Sequence, residues 1–165
     1  MIAFLRISGM VSAAVMVWLV VASQVPGHTR LPIAGVVPGA VVTQPFGCTT
    51  LDLEPYAPFC PSRHVHTGID LAAPLGKPVF AATAGTVRVG FDPNGAGLYV
   101  LVVVDAHARV FYCHLSTVSV ATGQVLIAGQ VVGAIGESGL ATGPHLHFEV
   151  QVDGRSIDPV AWLVS

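Results

Sequence analysis

A chain of 165 residues suits one domain with a short appendage. Its 18 glycines and 12 prolines interrupt the sequence too often for long helices, and with 53% hydrophobic but only 10% charged residues a compact, turn-rich β domain fits best. A net charge of -2, with no Lys/Arg cluster anywhere, provides no field to hold a polyanion and argues against nucleic acid as a partner.

The N-terminus has the order of an export signal. A free amine and Arg6 precede an uncharged apolar stretch from Ile7 to Ala22, followed by polar Ser23 and Gln24. Val20 and Ala22 are small enough for cleavage after Ala22, yet a hydrophobic helix of about 16 residues also approaches the roughly 17 to 25 that span a bilayer. Residues 1–24 are therefore expected to be a signal peptide or an uncleaved membrane anchor, with membrane contact confined to 7–22 in the second case. Either outcome sends the rest of the chain out of the cytoplasm, to the periplasm, cell wall or extracellular space. Residues 25–40, with Pro26, Pro32 and Pro38, lack helical or strand periodicity and read as a linker into a domain spanning 41–165.

Within that domain, short β-branched runs alternate with turn signals. The predicted strands are Val79 to Ala82, Thr86 to Val89, Leu98 to Val104, Val110 to His114, Gln130 to Ile135 and His145 to Val152. The fold expected is all-β, a compact antiparallel sheet domain. The run from Leu98 to Val104 is apolar without alternation, which predicts a central strand covered on both faces. Cys48 and Cys60 bracket a proline-rich segment, and in an exported chain they are expected to close a loop worth on the order of 3 kcal/mol. Cys113 directly precedes His114 on a predicted strand, so strict alternation points its side chain into the core.

Five of the 7 histidines fall in two segments and at one strand end. The first segment runs His64-Val65-His66-Thr67-Gly68-Ile69-Asp70, the second Thr142-Gly143-Pro144-His145-Leu146-His147-Phe148-Glu149, and His114 ends the predicted strand from Val110. Imidazoles with a carboxylate are donors that zinc accepts. On a strand, His145, His147 and Glu149 share one face while Leu146, Phe148 and Val150 share the other, a polar floor on an apolar backing. Spacing alone does not choose between His64 and His66, or between His145 and His147.

His66-Thr67-Gly68-Ile69-Asp70 resembles the H-x-x-x-D motif of the lysostaphin-type (LytM-like) zinc metallopeptidases, Tyr112-Cys113-His114-Leu115 resembles their Y-x-H-L motif, and the segment from Gly136 to Glu149 is similar to their closing segment with its H-x-H. The similarity runs from about Val41 to Leu163. It implies a groove with a single zinc ion held by His66, Asp70 and His147, with His114 and His145 beside the metal as catalytic groups. It implies peptidoglycan stem or cross-bridge peptides as substrate, cut by a zinc-activated water, and a monomer is expected. Three protein ligands leave a fourth tetrahedral position for water, whose pKa zinc brings to about 7. His64 then falls outside the motif, and His107 lies in a turn with nothing to pair it to the site. Glu149 is expected to accept a hydrogen bond from a histidine ring N–H, with a general base as the alternative, and Tyr112 to line the groove or donate to the oxyanion, or else to pack as an aromatic. The cysteine-bracketed segment from Thr49 to Arg63 should border the groove. Two other readings are a non-catalytic relative that activates another wall hydrolase and a wall-binding module merely stabilised by zinc.

Overall fold

The computed structural model describes residues 30–165, so the expected export segment and the first part of the expected linker lie outside the described residues. The main sheet is antiparallel. Its path runs from β1 (Val41–Gln44) through β4 (Ile69–Ala72), β11 (His145–Val152), β8 (Ala108–Val118), β7 (Gly97–Val103) and β6 (Gly85–Asp92) to β9 (Val125–Leu126). β10 (Val131–Ile135) pairs with β5 (Pro78–Phe80) and β8, while β12 (Arg155–Ile157) pairs with β11. β2 (Gly47–Thr49) and β3 (His64–His66) form a separate two-stranded ribbon.

β11 shows why the sheet forms here. Leu146, Phe148 and Val150 are fully buried on one face, and each such burial stabilises the fold by about 1.5–3 kcal/mol. His145, His147 and Glu149 stand half-buried on the other face. The single change most damaging to this strand is Phe148→Ala, at a cost of about 3–5 kcal/mol.

Four expectations need correction. The linker reading of 25–40 fails from residue 30 onward, because α1 (Ile33–Val36) and the residue after it place Val36 and Val37 in the core. That segment is tied to the C-terminus as well: the Arg30 guanidinium stacks 3.8 Å over the Trp162 ring of α2 (Pro159–Leu163). β7 is internal but is not covered equally on both sides, since Val100 and Val102 are buried while Tyr99, Leu101 and Val103 are half-exposed. Tyr112 does not line the groove. It is fully buried on the core face beside Phe148, with its hydroxyl accepting a 2.8 Å hydrogen bond from the Ala82 amide.

The remaining correction concerns Cys113, and its cause is a break in alternation. His114 adopts a left-handed backbone with φ of 60°, and the β7–β8 register shifts between Leu98↔Leu115 and Val100↔Tyr112. Such a bulge re-aims side chains. Cys113 pairs directly with His147, and both it and His114 line the groove, Cys113 as a buried free thiol in its floor.

Candidate metal centre

Sheet register assembles the floor of the groove. Gln44 pairs with Asp70 on β1 and β4, Asp70 with His147 on β4 and β11, and His147 with Cys113 on β11 and β8. Directly paired residues share a face, so four strands contribute one transverse row. His66 enters from β3 at the end of the short turn leading to Asp70. A Cβ on Gly68 in that turn would lie 2.5 Å from the Phe148 carbonyl oxygen and 2.8 Å from His147 Nε2, so only glycine lets the turn approach β11 this closely.

The row and this turn bring three donors together. His66 Nε2 lies 2.9 Å from His147 Nδ1 and 3.1 Å from Asp70 Oδ1, and His147 Nδ1 lies 3.0 Å from Asp70 Oδ1. A tetrahedral zinc with bonds of about 2.0–2.1 Å separates its ligands by about 3.3 Å, so this triangle needs to open by only a few tenths of an ångström. Among the described residues these are the three whose ligand atoms converge in this way. His66 Nδ1 donates to the Pro45 carbonyl at 2.9 Å, which turns the Nε2 lone pair toward the other donors.

Charge at the triangle is strongly coupled. Burial opposes ionisation of Asp70, but the His147 and His66 rings beside it outweigh that and hold the carboxyl well below the usual carboxylate range. Burial likewise opposes a charged His147, yet the Asp70 and Glu149 carboxylates raise its pKa to about 9. Glu149 Oε2 stands 3.6 Å from His147 Nε2, the ring nitrogen facing away from the triangle. The same carboxylate accepts hydrogen bonds from Thr67, Gln151 and Ser156. Burial is again the largest influence on Glu149 and raises its pKa, but the bonds from His147, Ser156 and Gln151 together leave it lowered.

His114 and His145 stand beside the triangle with ring centroids 4.8 Å apart. His145 Nδ1 donates to the Gly143 carbonyl at 2.7 Å, and its Nε2 is 3.8 Å from Asp70 Oδ1. His114 Nδ1 donates to the Ser138 carbonyl at 2.8 Å. Burial lowers the His114 pKa to about 4, despite the opposing bond to Ser138, so the ring is neutral at pH 7. Ser138 was not singled out from the sequence, although it lies within the segment that carries the third motif. Its hydroxyl accepts from the Leu98 amide and donates to the Leu115 carbonyl, tying the groove wall to β8.

The groove, about 390 Å³, has one wall from Leu51, Leu53, Glu54 and Pro55 and a facing wall from Asn94 to Ala96 and Leu140 to Thr142. The first wall belongs to the loop closed by the Cys48–Cys60 disulfide. His64 is not among the converging donors: its Nδ1 donates to the Glu54 carbonyl at 2.7 Å and so braces that loop. His107 is exposed and ion-paired with Asp153 at 2.6 Å. Neither Glu54 nor Gln44 was legible as a site residue, because a single acidic or amide residue carries no spacing signal.

Residues 64–159 match the model of Peptidase family M23. The chain is 39% identical over 93 residues to the peptidoglycan DD-endopeptidase ShyA of Vibrio cholerae, an alignment covering 56% of this chain and 22% of that protein. A zinc-containing peptidase from Vibrio cholerae superposes with a TM-score of 0.62 at 33% identity, covering 73% of this chain and 36% of that one. The catalytic domain of lysostaphin from Staphylococcus simulans superposes with a TM-score of 0.66 at 28% identity, covering 82% of this chain and 100% of that domain. The chain spans less than a quarter of the length of the curated relatives it matches. With the match running from the first histidine strand to the start of the C-terminal helix, the chain belongs to peptidase family M23.

Proposed function

We propose that this chain is a zinc-dependent endopeptidase that hydrolyses peptide bonds in the stem or cross-bridge peptides of peptidoglycan, with one zinc per chain. The observation that carries this reading is the convergence of His66 Nε2, Asp70 Oδ1 and His147 Nδ1 within 3.1 Å of one another, beside two further imidazoles that are not needed to complete the triangle. Three protein donors suit a catalytic rather than a closed structural site. When bound, the ion supplies Lewis acidity, making a water more acidic and polarising the scissile carbonyl.

His66, Asp70 and His147 hold the ion, and Glu149 fixes the His147 ring through its outer nitrogen. His114 and His145 carry the proton work. Each has its Nδ1 committed to a backbone carbonyl, which leaves Nε2 as the working atom. A neutral Nε2 can take the proton of the attacking water. Once protonated, the same nitrogen donates to the oxyanion and then to the leaving amine. The groove holds the peptide between the disulfide-closed wall and the facing wall, so the carbonyl meets these groups already oriented. Peptidoglycan as substrate is supported by the relatives' names and by the export signal read in residues 1–24, which would deliver a monomeric enzyme outside the cytoplasm.

Mass spectrometry of fragments released from defined peptidoglycans, with and without a chelator, tests this reading. New peptide termini that appear only with zinc are expected. Release that persists after zinc removal would overturn the mechanism.

A further inference from the structure

His114 and His145 each bond a main-chain carbonyl through Nδ1, but the two carbonyls are held in different ways. The partner of His145 is Gly143, two residues away on the approach to β11. The partner of His114 is Ser138, 24 residues further along the chain, in the irregular segment between β10 and β11. Among the described residues, that carbonyl is the one hydrogen-bond partner of the His114 ring. What holds it in place is the Ser138 side chain. Leu98 and Leu115 oppose each other where the β7–β8 register shifts, and the Ser138 hydroxyl accepts from the Leu98 amide and donates to the Leu115 carbonyl, both at 2.8 Å. One hydroxyl thus serves a donor and an acceptor of the main chain at a break in the ladder. A Cβ on Gly97, whose φ is 63°, would overlap the Ser138 carbonyl and hydroxyl, so glycine on β7 makes room for the insertion.

We propose that Ser138 is the positioning residue for His114: its hydroxyl bridges β7 and β8, so that its own carbonyl fixes the ring proton on Nδ1 and leaves the Nε2 lone pair free. This rests on the peptidase reading above, in which Nε2 takes the proton of the attacking water. A neutral imidazole carries its proton on either nitrogen, and the hydrogen bond made by one nitrogen decides which. Only the tautomer with a bare Nε2 is a base at that atom. A carbonyl accepts and never donates, so a carbonyl held against Nδ1 selects that tautomer. The backbone of His114 depends on the same clamp. It is left-handed, with φ of 60°, and its amide donates to the Ala96 carbonyl at 2.8 Å. A residue other than glycine keeps such a conformation only where its surroundings over-determine it. Ser138 acts on it twice, through its carbonyl on the ring and through its hydroxyl on the carbonyl of the next residue, Leu115. Removing the hydroxyl releases the segment from both strands at once and leaves the ring free to change tautomer.

Proton–nitrogen correlation spectra of the imidazole rings in the zinc-loaded full-length chain at neutral pH, with His114 assigned by its loss in His114→Ala, read the tautomer. In the wild type His114 should show a protonated Nδ1 and a bare Nε2. In Ser138→Ala the two tautomers should mix, and kcat should fall by about 10- to 100-fold with KM little changed and zinc still stoichiometric. Ser116→Ala controls for general loosening of β8, because it removes a 2.8 Å hydroxyl bond from the same strand to the Ile135 carbonyl without touching the His114 ring. That variant should keep the wild-type tautomer and kcat. A bare Nδ1 in the wild type, an unchanged tautomer in Ser138→Ala, an equal fall in kcat in Ser116→Ala, or a loss confined to KM or to zinc would overturn the proposal. The spectra need no turnover. If zinc-loaded wild type cleaves no peptidoglycan, the peptidase reading fails, and the tautomer in Ser138→Ala alone decides the role of Ser138.

Discussion

The floor and the disulfide-closed wall of the groove are built in different ways. The floor is a row of paired residues across β1, β4, β11 and β8, each held by main-chain ladders and backed by buried Leu146, Phe148 and Val150. The wall from Leu51 to Pro55 has no strand of its own and depends on a covalent bridge, a histidine side chain and a few turn bonds. A catalytic constellation needs positions good to a fraction of an ångström, which a sheet supplies. A wall that meets variable substrate can be carried by a loop, provided something fixes the loop.

This contrast can be broken from either side. The largest expected effect is on the floor: His114→Ala should lower kcat by about 10²–10⁴ while zinc stays stoichiometric, read by steady-state kinetics and metal analysis. His145→Ala should behave alike, and loss of its zinc would move that residue into the ligand set. On the wall, Cys48→Ser with Cys60→Ser should destabilise the fold by about 3 kcal/mol in denaturant titrations and raise KM, yet leave zinc binding in place. A coupled loss of zinc would show that floor and wall are not independent.

Glu149→Gln removes the charge behind His147 and should weaken zinc affinity by about 10- to 100-fold in competition with a chelator. The last effect is a pH slope. In the metal-free fold the His147 pKa stands at about 9, above its unfolded value, so this group stabilises the metal-free chain below about pH 6.5 and loses that contribution as pH rises through 9. Zinc needs the unprotonated Nδ1, so affinity should move the other way, rising about tenfold per pH unit between 7 and 9, with about one proton released per ion at pH 7. Calorimetry in buffers of different ionisation enthalpy measures that proton.

Most of the floor was legible in the sequence because it rests on short-range periodicity. His145, His147 and Glu149 alternate with Leu146, Phe148 and Val150, and a strand can satisfy that pattern in only one way. The choice of His66 over His64 was not open to spacing and came from resemblance. Cys113 was misplaced because the bulge at His114 depends on a register shift against β7, a non-local contact that no window along β8 contains. For Tyr112 the sequence left the groove and packing both open, and what decides for packing is again non-local: its buried hydroxyl accepts from the Ala82 amide, 30 residues away.

The sequence by itself determined the donor types, their order and the face of β11 that carries them, since side-chain chemistry and a two-residue period are local properties. Tertiary structure decided which donors converge, that Cys113 joins the floor, and that Glu54 faces the metal centre from a loop closed by Cys48 and Cys60. Convergence requires strands far apart in the chain to pair in one register, and that register is set by the core as a whole.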